Sequence, residues 1–247
     1  FINLLILFFF IYIIYIMDFR TFEKRIYSQN GEDGITMKLI ELIYHNSSDK
    51  YYVEFGVENG KECNTRVLRE NYNWRGLQMD GGFENLKINL NREFITRENV
   101  VGLFQKYKVP QLINLLSIDV DFNDFYILHE ILKHYSCDII IVEYNGFHGV
   151  TEDKIIKYDS KGRWDHSVYF GASLLALNKL CELFGYSLVY SNGVNGFFVR
   201  KDILTDKNIQ VKNAGSFADI YCPAGFARFG EDKLKRAYVS FDEAIIN

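Results

Sequence analysis

Residues 51–80, YYVEFGVENGKECNTRVLRENYNWRGLQMD, constrain the fold more than any other stretch of the chain. Tyr51, Tyr52 and Val53 begin an apolar run that passes through Glu54 and Phe55 into Gly56, and a polar turn closes at Gly60. A segment of helical character follows, and a second apolar run ends in Asp80. Strand, glycine turn, helix, strand and acid in that order describe a right-handed crossover between parallel strands, with ligands expected outside the carboxyl ends. Asp80 lies 20 residues after Gly60, about the distance at which an acid closing the next strand reaches a ribose hydroxyl. A nucleoside-bearing ligand is the expectation.

The same alternation continues on both sides. Apolar periodicity predicts a helix over 35–44, strands over 51–55 and 75–79, and a helix over about 63–72 between them. Further helices are expected over 83–91 and 98–106, with a weak strand near 93–96. Buried-type runs over 112–120 and 138–143 read as central parallel strands, separated by a helix over 123–135. Residues 144–168 show no period and are long for a loop in a compact domain, so a lid or insertion is expected there. A helix over 172–184 stops at Gly185, and 186–190 with 195–200 form a closing hairpin across Asn192-Gly193. The expected fold class is therefore α/β, a Rossmann-like doubly wound, mostly parallel sheet of about seven strands with a C-terminal antiparallel hairpin. Five acids, Glu54, Asp80, Asp119, Asp121 and Glu143, fall at strand ends on one edge of that sheet.

Composition narrows the class. The chain has 247 residues, 48% of them hydrophobic and 24% charged, ordinary for a folded globular protein. A net charge of −4 speaks against a nucleic-acid partner, which needs clustered Lys and Arg. Cys63, Cys137, Cys181 and Cys222 form no C-x-x-C pair and read as reduced, mostly buried thiols. Residues 1–16 are apolar and fall short of the roughly 20 residues of a spanning helix. They read as upstream sequence or as an N-terminal membrane anchor, ahead of one domain over 17–247 that stays cytoplasmic.

The turn is G-x-x-x-G rather than G-x-G-x-x-G, and Glu54 precedes it. A pyrophosphate would be repelled by that carboxylate, whereas a cationic sulfonium amino acid would be attracted, which favours S-adenosylmethionine over a nicotinamide dinucleotide. The pieces SQNGEDGI (28–35), VEFGVENGKECNTRVL (53–68), WRGLQMDGG (74–82), LLSIDVDFNDFYI (115–127), IIIVEYN (139–145), YFGASL (169–174) and NGVNGFFV (192–199) together resemble the FkbM-type branch of S-adenosylmethionine-dependent methyltransferases. The resemblance implies cofactor binding by the glycine turn and Asp80 on the ribose. The expected cofactor-binding residues are Gln29, Glu54, Gly56, Glu58, Gly60, Asn64, Thr65, Asp80, Gly81 and Asp119, with Ser28, Glu32 and Asp33 closing over them. The chain departs from the family at Phe122, where Gly is usual, and a bulky side chain there is expected to narrow the substrate mouth.

On the acceptor side, Asp121, Glu143, Asn145 and His148 are the expected catalytic residues. Asp-x-Asp and Glu-x-Asn at neighbouring strand ends suit an all-oxygen magnesium site. Equally, Asp121 or Glu143 serves as a general base without metal, or the acids cap helix N-termini. His148 and His166 both sit in the aperiodic stretch, and Trp164 and Tyr169 stack on a sugar ring or anchor the lid. The expected activity is methyl transfer to a hydroxyl of a small molecule or glycan. The alternatives are a nucleoside-binding module without turnover and a nicotinamide-dependent oxidoreductase.

Overall fold

Alternation along each strand decides the layers. Val53 and Phe55, Leu116 and Ile118, and Ile140 and Val142 point to one face, while Tyr52, Leu115, Ile139 and Ile141 point to the other; all are buried. Strands buried on both faces read as unbroken apolar runs and need helices on each side.

The computed structural model describes residues 16–45, 47, 49–227 and 229–246. Strands β1 (Ile16–Met17), β2 (Tyr51–Phe55), β3 (Arg75–Asp80), β4 (Leu90–Arg92), β5 (Leu112–Ile118), β6 (Ser136–Glu143), β7 (Tyr186–Ser191), β8 (Asn195–Arg200) and β9 (Gln210–Val211) alternate with helices. The helices are α1 (Glu32–Tyr44), α2 (Arg66–Tyr72), α3 (Val100–Lys106), α4 (Asp124–His134), α5 (Leu174–Leu183), α6 (Lys201–Asp206), α7 (Phe217–Ile220) and α8 (Phe241–Ile246). The main sheet has seven strands in the order β4-β3-β2-β5-β6-β8-β7. All its pairs are parallel except β6–β8 and β7–β8, so one edge of the sheet is an antiparallel hairpin. This is the α/β class and topology that the sequence predicts. Core side chains from α3, α4 and α5 cover one face, and those from α1, α2 and α6 the other. β1 pairs separately with β9.

The order reverses between β2 and β5, and a crevice opens there beyond the carboxyl ends, the place where such sheets take their ligands. One expected element is absent: residues 83–91 form no helix. The Asn85 side chain accepts from Lys87 N at 3.2 Å to start a single 3₁₀ turn, and Asn89 ends it in the left-handed region. The edge strand then begins at Leu90, opposite Gln78, earlier than the expected 93–96. Local Asx bonding outcompetes a short helix here. Residues 144–168 hold no helix or strand, as expected, but the segment is pinned. The Asn145 amide donates to the carbonyls of Val168 (2.9 Å) and Phe170 (3.1 Å), and Asn123 holds Asp159 O at 2.8 Å. Phe122 is buried with Ile156 and Tyr169, and a Cβ at Gly162 would lie 2.2 Å from its ring. Phe122 therefore anchors this segment by its side chain. Among the described residues no helix is long and apolar enough to cross a membrane. The apolar segment 1–16 lies, apart from Ile16, outside the described residues.

Candidate active site

The glycine turn is shaped by protein before any ligand arrives. Gly56 has φ +68°, and a Cβ there would sit 1.5 Å from the Asp119 carbonyl oxygen, so β2 and the β5 end meet backbone to backbone. Gly60, at φ +73°, packs against Ile88 instead of facing a cavity. Asp80 fixes both sides of the turn. Its Oδ2 accepts from Glu58 N at 2.8 Å, and its Oδ1 accepts from Gly82 N at 2.7 Å and Phe83 N at 3.1 Å.

Glu54 lines the larger cavity, and the protein engages its carboxylate as well. Alternation puts it on the Tyr52 face of β2, toward α2. Its Oε1 accepts from Asn64 N at 2.7 Å, and its Oε2 accepts from Thr65 N at 3.1 Å and from the Thr65 hydroxyl. It thus ties the residues just ahead of α2 to β2, and burial pushes its carboxyl up while those donors pull it back. The amides of Asn64 and Thr65, just ahead of α2, are thus already taken by a carboxylate.

Two cavities meet across Gly56, Asp119, Asp121 and Trp164. One, of 370 Å³, is bounded by Asp80, Gly81, Phe94, Ile95, Val120 and His166. The larger, of 450 Å³, receives Gln29, Glu58 and Asn64 as expected, with seven carboxylates on its lining (Glu32, Glu54, Glu58, Glu62, Asp119, Asp121, Glu143). No described lining residue of the larger cavity is Lys or Arg. Its far wall is aromatic, formed by Trp164, Phe170, Phe226 and Phe229, with ring centroids 4.7 Å apart for Trp164–Phe229 and 5.6 Å for Phe226–Phe229.

At the junction, Asp119, Asp121 and Glu143 each bring one carboxylate oxygen within 4.8 Å of the others. Burial, followed by neighbouring carboxylates, holds Asp119 and Glu143 well above the usual range. Side-chain contact with Asp119 adds to the rise at Glu143. Asp121 is exposed to both cavities, with φ +62°. Lost hydration and the Glu58 charge raise its carboxyl, and His166 opposes that. Beneath them Asp124, fully buried at the start of α4, accepts from Val120 N at 2.8 Å; burial pushes its carboxyl up to about 7.

Four expected site residues do not reach the cavities. Thr65 is buried under Glu54, and Gly60 faces Ile88. Asn145 lies past the end of β6, with its side chain engaged by Val168, Phe170 and Phe147, so the Glu-x-Asn half of a metal site is not assembled. His148 is buried with its ring edge-on to Tyr238 at 4.8 Å; His166 is the histidine at the crevice. Ser28 and Asp33 brace the entry to α1, where Asp33 Oδ2 takes the amides of Ile26, Tyr27 and Ser28. Glu32 lines the larger cavity and ties α1 to the β7–β8 turn through Asn192 (2.8 Å) and Asn195 (3.1 Å). The sequence reading missed Asn195, Phe226 and Phe229. Asn195 was legible only through its pairing with Glu143 in the β6–β8 register, and the two phenylalanines sit in a tail without periodicity. All four cysteines are free, and three are buried.

No protein-family model and no curated protein matches the sequence. Among solved structures the chain is similar to the CMeT domain of the citrinin polyketide synthase (TM-score 0.37, 9% identity, 68% of this chain and 51% of that one). It is also similar to the CurJ carbon methyltransferase (0.35, 9%, 68% and 52%). A third likeness is to a SAM dependent methyltransferase from Aquifex aeolicus (0.31, 10%, 65% and 90%). The chain spans about half the length of the first two. Likenesses this distant carry no argument about chemistry, which rests on the site itself.

Proposed function

We propose that the chain is an S-adenosylmethionine-dependent methyltransferase of the FkbM type that methylates a hydroxyl of a small molecule or glycan. One observation carries the reading: the larger cavity of the crevice at the strand-order reversal is lined with carboxylates and, among its described lining residues, with no Lys or Arg. A pyrophosphate meets repulsion there, whereas a sulfonium gains. Asp80, Gly81, Ile95 and Val120 would hold the adenosine, and Gly56, Glu58 and Asn64 the amino-acid end. When bound, the cofactor supplies an electrophilic methyl on a cationic sulfur.

The chain's own residues do the rest. Asp121, raised and exposed at the junction, accepts the proton of the acceptor hydroxyl. Asp119 and Glu143, both raised by burial, lie beside it and set the local field. The segment pinned by Phe122 brings Trp164 over the junction and keeps water from the acceptor. The spacing of the three acid oxygens supports a second form of this reading, in which Asp119, Asp121 and Glu143 would hold a magnesium ion that would lower the hydroxyl pKa.

Calorimetric titration with S-adenosylhomocysteine and with NAD tests the proposal. Binding of the former and none of the latter is expected; the reverse result sinks it. Turnover that survives exhaustive chelation selects Asp121 as a metal-free base.

A further inference from the structure

Two residues that line the larger cavity, Glu143 and Asn195, each hold a buried side-chain oxygen with no hydrogen-bond partner. Glu143 and Asn195 are partners across β6 and β8, so their side chains share one face of the sheet. Glu143 Oε2 is buried without a hydrogen-bond partner, and so is Asn195 Oδ1. The orientation of the Asn195 amide is fixed, because its Nδ2 donates to Glu32 Oε1 at 3.1 Å, which leaves the oxygen as the free end. Asn195 is only 4% exposed and lines the cavity. A buried acceptor left unsatisfied costs roughly 1–3 kcal/mol, and two side by side call for a ligand rich in donors. With Glu32 behind Asn195, the requirement is for a donor that also carries positive charge.

The sheet order says which ligand this is. Asp80 closes β3, the glycine turn follows β2, and Asn195 opens β8, which stands three strands from β2 on the side away from β3. At roughly 4.8 Å per strand, Asn195 lies roughly 14 Å from the turn, on the acceptor side of the junction. The aromatic wall of Trp164, Phe170, Phe226 and Phe229 borders the same space, and aromatic faces beside carboxylates favour ammonium groups.

We infer that the acceptor carries a protonated amine, received by Asn195 Oδ1 and Glu143 Oε2 with Glu32 in support. This rests on the methyltransferase reading and sharpens it. An ammonium has no lone pair, so the amine serves as a handle and a hydroxyl remains the methylated group. Anionic acceptors such as uronic acids and nucleotide sugars are excluded by the same charges.

Ligand-observed NMR on the S-adenosylhomocysteine-saturated chain tests this with matched pairs: glucosamine against glucose, 2-aminocyclohexanol against cyclohexane-1,2-diol, and tyramine against 4-(2-hydroxyethyl)phenol. The amine of at least one pair is expected to bind at least tenfold more tightly than its neutral partner. Asn195→Leu, with the milder Asn195→Ser as a second variant, should reduce that preference to under threefold. S-adenosylhomocysteine affinity in the same samples should stay unchanged, which also shows that the variants fold. No amine preference in any pair overturns the inference, and so does a preference that survives both variants. If the variants weaken S-adenosylhomocysteine but not 5′-methylthioadenosine, the ammonium recognised is the cofactor's own, and the acceptor assignment falls. Failure of S-adenosylhomocysteine to bind the wild-type chain would instead strike the methyltransferase reading, and the amine pairs can still be measured without it.

Discussion

Asp124→Asn isolates the energetic strain in the acidic junction. Asp124 has no exposed surface, and its Oδ2 has no hydrogen-bond partner. Burial and the Asp121 charge push its carboxyl up to about 7, against the backbone amides of Val120, Asp124 and Phe122 that pull it down. In the unfolded chain the same group titrates at roughly 3.9. The folded state therefore holds a proton that the unfolded state releases between those two values, and stability falls as pH rises through that window. A rise from about 3.9 to about 7 corresponds to about 4 kcal/mol of stability lost between pH 4 and pH 8. Asparagine keeps the oxygen that accepts from Val120 N and does not titrate. The variant pays a fixed cost of roughly 1–3 kcal/mol if its new amide donor finds no partner, but that offset is independent of pH. Urea unfolding of both proteins at pH 4.5, 6, 7 and 8.5 should show the stability difference moving in favour of the variant by about 3–4 kcal/mol across the series. In thermal scans that is about 6–16 °C for a chain of this size. A difference that stays flat with pH, or moves toward the wild type, would refute the assignment of Asp124 as a buried proton-holding acid.

Two substitutions test the scaffold around the junction. Gly56→Ala places a methyl 1.5 Å from the Asp119 carbonyl at φ +68°, so S-adenosylhomocysteine binding should be lost together with several kcal/mol of stability; calorimetry showing intact affinity would contradict the close approach. Phe122→Ala empties the space between Ile156, Tyr169 and Gly162 and should cost about 3–5 kcal/mol while raising protease cleavage within residues 157–166. Unchanged cleavage would show that the segment is held elsewhere.

How much of this was legible depended on range. Strands buried on both faces announce themselves as apolar runs, and acids at their ends mark one edge, so the sheet and the crevice followed from local pattern. Glu54 was visible as an acid, but its direction followed from period-two alternation, which sends it toward α2 with Tyr52. Residues 83–91 failed because Asn85 and Asn89 bond their own backbone, a competition that hydrophobic periodicity does not register. Asn145 and His148 were placed near the site by sequence proximity to Glu143, but past a strand end the chain turns, and neighbours in sequence cease to be neighbours in the cavity. Asn195, Phe226 and Phe229 reach it through register and through the return of the tail, both set by tertiary packing.

The bond from Asn195 to Glu32 closes a span of 163 residues, and this has a consequence for how the chain acquires its pocket. Synthesis runs from the N-terminus, and long-range contacts form late because their loops are costly to close. β2 through β6 can pair as they emerge, which sets up the glycine turn and Asp80 early. The acceptor wall waits for β8 and for Phe226 and Phe229 to leave the ribosome. A nascent chain arrested near residue 185 would carry the nucleoside half of the crevice with its aromatic side still open to solvent. The acidic junction is thus exposed to water for most of the chain's synthesis and is enclosed among its last steps.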